Sequence, residues 1–331
     1  MIITVLAAAV PAYTRALIGG ERGTIPTPLV LGAACVGRVE AVADEVFNVA
    51  PGDIVVDIAL LGSGDTAEPQ EILVGWTGVG GRGRATRTTE GMQALWHDGV
   101  FAERALCPKE CLVRLPGAGR YPRPDKLAFL PWLGIAAEGL NRAGLQAGHV
   151  VVVVGATGQL GGAAVLGALA RGAARVVAVG RNAGALDRLA GLDRRVVPVA
   201  LTGDREQDAK AITAASGGAD RVLDALGDVP SAGPTLAGYD SLRPGGTMVV
   251  IGGVRQDLPL PYGDLMRRRL TVAGSWMCSP ATALTVWNMV AAGTLDLGPL
   301  GVRTVGLDDP AGALDLAANT SGPEFVALVP G

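Results

Sequence analysis

The sequence predicts an α/β chain: a central, doubly wound parallel sheet, with a β-rich domain split across its two sides. Three observations carry this. Residues Val150 to Asn182 read as strand, glycine turn, helix and strand. Strand and helix patterns then alternate as far as Ala273. On both sides the texture changes to short β-segments with Gly and Pro turns: Pro28–Gly32, Val36–Ala43, Pro51-Gly52-Asp53, Ile54–Ile58, Val302–Val305 and Phe325–Val329.

Taken in order, the chain opens on Ile2–Val10, an apolar run without the basic flank of a signal peptide, which reads as a strand. Five valines, Val150–Val154, make a strand buried on both faces. Gly155-Ala156-Thr157-Gly158-Gln159-Leu160-Gly161 follows as a tight turn opening a small-residue helix. The stretch Val150–Ala170 is uncharged, but its five glycines and polar Thr157 and Gln159 fit strand, turn and helix better than a membrane span. A strand at Arg175–Val179, a helix at Ala183–Leu192 and a strand at Val196–Val199 come next. A helix at Arg205–Ser216 leads to a strand at Arg221–Asp224, and Ser231–Leu242 looks helical. Pro244-Gly245-Gly246 turns into Thr247–Ile251, and Leu270–Ala273 supplies a sixth strand.

The opening unit has the order and spacing of the Rossmann dinucleotide-binding fold. Gly155 and Gly158 let the backbone approach a pyrophosphate, whose charge is favoured by amides at the helix N-terminus. Gly161 lets the helix sit close to the strand. The expected cofactor residues are therefore Gly155, Thr157, Gly158, Gln159, Leu160 and Gly161, joined by Gly252, Gly253 and Val254 after the Thr247–Ile251 strand. NAD sites place an acid after the second strand to accept from the ribose 2′-hydroxyl. This chain has Gly180-Arg181-Asn182 there, and a planar guanidinium suits a 2′-phosphate. The expected cofactor is NADP(H); the plainer alternative is that Arg181 is a solvated loop residue.

At 331 residues the chain is long enough for two substantial domains. A net charge of −3 gives no reason to expect nucleic acid or an anionic membrane as partner. Cys35, Cys107, Cys111 and Cys278 form no CxxC pair and no disulfide framework, which suits a cytoplasmic protein. The expected partner is a small molecule.

Several landmarks fall in an order that resembles the medium-chain dehydrogenase/reductase superfamily, which includes zinc alcohol dehydrogenases and quinone oxidoreductases. They are Pro28–Gly32 with Gly37, Ala50-Pro51-Gly52-Asp53, Asp98–Glu103, Ala143–Gly148, Ala219-Asp220 through Asp224, Pro244-Gly245-Gly246, Gly274-Ser275, and Gly293 before Pro299-Leu300. The resemblance covers nearly the whole chain. It implies a discontinuous GroES-like catalytic domain at residues 1–129 and 279–331 around a nucleotide domain at 130–278. It also implies a substrate cleft between them, Ser275, Trp276 and Met277 beside the nicotinamide, and a homodimer paired through Leu270–Ala273. Members carry a further segment before the stretch matching Ile2–Pro11. The resemblance thus suggests a shortened variant with an exposed sheet edge, or a misassigned start.

In zinc members of the family, Cys, His and a further Cys or Asp hold a catalytic zinc, often with Glu beside the His. Those positions fall here on Val10, Ala33, Ala34 and Leu130, none of which can coordinate a metal. Leu61–Trp96 occupies the place of a lobe that four cysteines hold, and contains none. No zinc is expected at either place. Without a Lewis acid, the favoured reaction is NADPH-dependent reduction of a conjugated or activated carbonyl, of quinone or enone type, whose developing charge hydrogen bonds can stabilise. Two rivals stand beside it: a zinc-free NADP-dependent alcohol dehydrogenase or ketone reductase, and a non-catalytic NADPH-binding protein.

Tyr13, beside the first vacated position, is a candidate proton donor or a packed strand-end tyrosine. His97 is a candidate acid or relay, or a solvated loop residue. Trp76, Tyr262, Trp276 and Met277 are candidates for an apolar wall against a flat substrate. Cys35 reads as a small buried residue.

Overall fold

The structure is a computed structural model and describes residues 1–21, 25, 27–76, 78–79 and 85–331. The N-terminal part contributes β1 (Ile2–Val10), β2 (Cys35–Ala41), β3 (Ile54–Asp57), β4 (Leu60–Gly62), β5 (Glu71–Leu73), β6 (Gly78–Val79), β7 (Arg104–Leu106) and β8 (Leu112–Arg114). The middle of the chain holds β9 (Val150–Val154), β10 (Arg175–Gly180), β11 (Val196–Ala200), β12 (Ala219–Asp224), β13 (Leu242–Val250) and β14 (Thr271–Gly274). The tail adds β15 (Gly301–Val305) and β16 (Glu324–Leu328).

The central sheet runs β11-β10-β9-β12-β13-β14 and every pairing in it is parallel. Period-2 alternation divides its valines between two cores. Val151 and Val153 pack with Leu140, Ala163 and Val286, whereas Val152 and Val154 pack with Ile212, Tyr239 and Met248. The strand order reverses between β9 and β12, the crevice where such sheets bind ligands. The turn expected at Pro244-Gly245-Gly246 is built inside β13: Leu242 pairs with Ala219 and Thr247 with Arg221, so the intervening residues loop out of the ladder.

The second sheet runs β15-β16-β1-β2-β3-β8, with β7 also on β1. The tail returns to the head through β16, antiparallel to β1, with Ala8 opposite Leu328 and Val10 opposite Val326. Between β3 and β7 the small sheet β4-β5-β6 and the helix Arg87–Leu95 form a lobe. Leu61, Ile72, Val74 and Cys111 hold it, with Met92 and Trp96 packed against them. Among the described residues no helix is long and apolar enough to cross a membrane.

Candidate active site

The glycine turn sits at the switch point. Gly155 has φ +79°, and a Cβ there would come within 2.9 Å of Leu226 N. A Cβ on Gly161 would run into the Gly155 carbonyl. The helix Gln159–Ala170 makes its first hydrogen bond from Gly162 N to Gly158 O at 2.8 Å, so the amides of Gln159, Leu160 and Gly161 precede the ladder. That cradle suits a pyrophosphate. At the edge of the same sheet, just past β14, Ser275 N donates to Val250 O at 3.0 Å, while Ser275 Oγ is buried with no partner among the described residues. Met277, two residues on, holds a left-handed φ of +53°, a costly state for a branchless but bulky side chain. An orphaned hydroxyl beside strained backbone at the end of the edge strand leaves one hydrogen bond open to a ligand.

Several expected cofactor residues are occupied otherwise. The Gln159 side chain faces the catalytic domain: Oε1 accepts from Ala12 N and Nε2 donates to Thr320 Oγ1, each at 3.2 Å. Only its backbone remains for a phosphate. Asn182 caps the helix Ala183–Ala190 by accepting from Ala185 N at 3.0 Å. Gly252 N and Gly253 N donate to Asp224 O and Leu226 O at 3.1 and 2.8 Å, which locks the two loops together. Val254 is half-buried beside them. Arg181 is exposed and makes no hydrogen bond or ion pair among the described residues. Gly180 lies buried at the end of β10, directly beneath Thr157.

Outside the central sheet an apolar cluster of Leu17, Leu73 and Trp76 gathers Leu31, Ala33, Leu60 and Met277. The Tyr13 ring stands edge-on to Trp76 with centroids 5.8 Å apart. Tyr13 begins the short helix Thr14–Ile18, its carbonyl accepting from Leu17 N at 3.0 Å. Met277, Ala33, Trp76 and Tyr13 therefore meet at one place. The other expected wall residues do not join them. Tyr262 is 81% exposed on a surface helix. Trp276 is half-exposed and lines a neighbouring cavity of about 390 Å³ with Ile58, Leu60, Glu138 and Cys278. His97 reaches this region by its carbonyl, which accepts from Gly75 N at 3.1 Å. Its Nδ1 lies 3.0 Å from Asp98 Oδ1, and that same oxygen accepts from Val30 N at 2.7 Å.

The places matching zinc ligands are hydrocarbon. Ala33 belongs to the apolar cluster, Val10 packs with Ala313 and Val326, and Leu130 lies in the main core. Among the described residues no three His, Cys, Asp or Glu side chains group as a metal site. This donor set does not fit the metal. Cys35 is buried with its thiol pushed well up by desolvation, so it is no nucleophile. Beside it Asp57, wholly buried at the end of β3, is pushed up to about 7 by desolvation, against the hydrogen bonds of Ala59 N and the Cys107 thiol.

The family described as zinc-binding dehydrogenase matches residues 160–292, and that described as alcohol dehydrogenase GroES-like domain matches residues 1–117. A geraniol dehydrogenase of Castellaniella defragrans is 31% identical over 267 residues, covering 75% of this chain and 69% of that protein. A protein named as a D-xylulose reductase of Agrobacterium fabrum is 30% identical over 211 residues, covering 61% of this chain. The chain spans only 57% of the length of that relative. In fold, it is similar to a crystal structure from Sinorhizobium meliloti described as a zinc-binding dehydrogenase bound to NADP. The TM-score is 0.76 at 22% identity, covering 100% of this chain and 92% of the other.

Proposed function

The chain belongs to the medium-chain dehydrogenase/reductase superfamily, and from that premise we propose that this oxidoreductase works with NADP(H) and without zinc, reducing a conjugated or otherwise activated apolar carbonyl compound. One observation carries the reading: Met277, three residues past the end of β14, packs into the same cluster as Ala33 and Trp76. The space that a metal and its ligands take in zinc members is hydrocarbon in this chain.

The nicotinamide, when bound, supplies the hydride. The protein's part is placement and charge stabilisation. The first-turn amides of the helix Gln159–Ala170 hold the pyrophosphate, and Arg181 receives the 2′-phosphate. Ser275 Oγ supplies a polar contact at the nicotinamide end. Trp76, Leu60 and Met277 exclude water and hold a flat acceptor by its faces. Tyr13 Oη delivers a proton to, or hydrogen-bonds, the oxygen on which charge develops. A conjugated acceptor needs no more, because its charge is spread over several atoms.

A second reading is a zinc-free alcohol dehydrogenase or ketone reductase. It is favoured by the geraniol dehydrogenase relative and by retention of the lobe at Leu61–Trp96. NADPH oxidation against quinones, enones, aldehydes and ketones separates the two. Turnover of quinones or enones alone supports the first, and turnover of simple ketones with oxidation of secondary alcohols supports the second. Tight NADPH binding with no turnover makes the chain a binding protein instead. The homodimer paired through β14, the strand on the edge of the central sheet, belongs to the same proposal.

A further inference from the structure

The end of β10 is closed to every side chain by one residue of the glycine turn. A Cβ placed on Gly180 would lie 2.5 Å from Thr157 Cγ2, 2.7 Å from its Oγ1 and 3.1 Å from its Cβ. Two of the three staggered positions on Thr157 Cβ thus face Gly180, and both are filled. Any staggered rotation leaves at least one heavy atom in that space.

Neither partner is free to retreat. Gly155 N and Ala156 N both donate to Val179 O, at 3.0 and 2.9 Å, and pin the turn across the end of β10. Thr157 O accepts from Gly322 N of the catalytic domain at 2.7 Å. On the other side Gly180 is paired with Ala200 of β11, and its carbonyl accepts from Leu201 N at 2.9 Å. In dinucleotide folds an acid near this strand end selects NAD by accepting from the ribose 2′-hydroxyl. No such carboxylate fits at residue 180 while Thr157 is present.

We infer that Thr157 is a specificity-determining residue. By filling the space over Gly180 it keeps an acid out of the 2′ corner and leaves Arg181 as the charge that a 2′-phosphate meets. Cofactor choice is then a property of the Thr157–Gly180 pair, not of residue 180 alone. This rests on the NADP(H) reading above.

The test is a cycle of Gly180→Asp, Thr157→Ala and the double variant. It reads the Kd for NADPH and for NADH by nucleotide fluorescence, and the Tm of the nucleotide-free protein. Gly180→Asp alone is expected to lose NADPH, to gain no NADH affinity and to lower the Tm by several degrees through overpacking. The double variant is expected to recover the Tm and to bind NADH about tenfold tighter than the wild type, a step of about 1.4 kcal/mol. If the Asp variant does not accumulate, Gly180→Ala with and without Thr157→Ala gives the same Tm test with a single methyl. Gly180→Asp gaining NADH as fully as the double variant, or an unchanged Tm, overturns the inference. Wild-type protein that binds NADH more tightly than NADPH overturns the cofactor reading and the specificity role with it. The Tm cycle alone then decides whether the packing clamp stands.

Discussion

Gln159 Oε1 accepts a hydrogen bond from the Ala12 amide at 3.2 Å, across 147 residues of chain. The first residue of the helix after the glycine turn is thereby tied to the residue before Tyr13. The same side chain donates to Thr320 Oγ1, so one amide group joins the nucleotide domain to both parts of the catalytic domain. Gly322 N to Thr157 O, at 2.7 Å, reinforces that seam. The glycine turn and the segment that carries Tyr13 are thus hydrogen-bonded into one seam.

Replacing Gln159 by Leu keeps its bulk but leaves the Ala12 donor unpaired in a half-buried seam. Stability is expected to fall by about 1–3 kcal/mol, read as a lower Tm. Because the side chain does not face the cofactor, NADPH affinity should change far less than KM for the carbonyl acceptor. An equal loss in both would place the side chain on the nucleotide instead.

Arg181→Ala is expected to weaken NADPH and leave NADH untouched. A hydrogen bond to a charged group contributes about 1.5–3 kcal/mol, so the Kd for NADPH should rise about tenfold to a hundredfold. Parallel fluorescence titrations with both nucleotides check it.

Tyr13→Phe preserves the ring's edge contact with Trp76 and removes only the hydroxyl. If Oη serves the developing oxyanion, kcat should drop about a hundredfold or more with KM little changed. An unchanged kcat would return Tyr13 to a packing role.

Asp57 predicts a pH dependence of stability. Its carboxyl is buried and lifted from its ordinary 3.8 to about 7, first by desolvation. Between those values the folded chain keeps a proton that the unfolded chain releases. The contribution is therefore full below about pH 3.8, and is lost as pH rises through about 7. The Cys35, Cys107 and Cys111 thiols around it are all raised by desolvation and stay protonated across that window. The Tm should accordingly decline from pH 4 to pH 7, and Asp57→Asn should flatten that decline and raise the Tm at pH 8.

The nucleotide domain was legible in the sequence because its signals are local. Five consecutive valines, a glycine turn and a small-residue helix specify one another over short range, and the two-core division of Val151–Val154 follows from strand periodicity. What escaped was long-range. The Gln159 side chain has the sequence context of a phosphate loop, and only the folded chain brings Ala12 and Thr320 to it. Tyr262 and Trp276 look alike as aromatic candidates, yet one lies on a surface helix and the other beside a separate cavity. The lobe packing of Ile72, Val74 and Cys111 has no periodic pattern, because β4, β5 and β6 are too short to show one.

The most direct test of zinc-independent, NADPH-driven reduction is the rate of NADPH oxidation by enones and quinones, with chelator and again with added zinc. The account predicts turnover that chelator leaves unchanged and zinc does not increase. Turnover that appears only when zinc is restored would contradict it, since Val10, Ala33, Ala34 and Leu130 offer no atom to hold the metal.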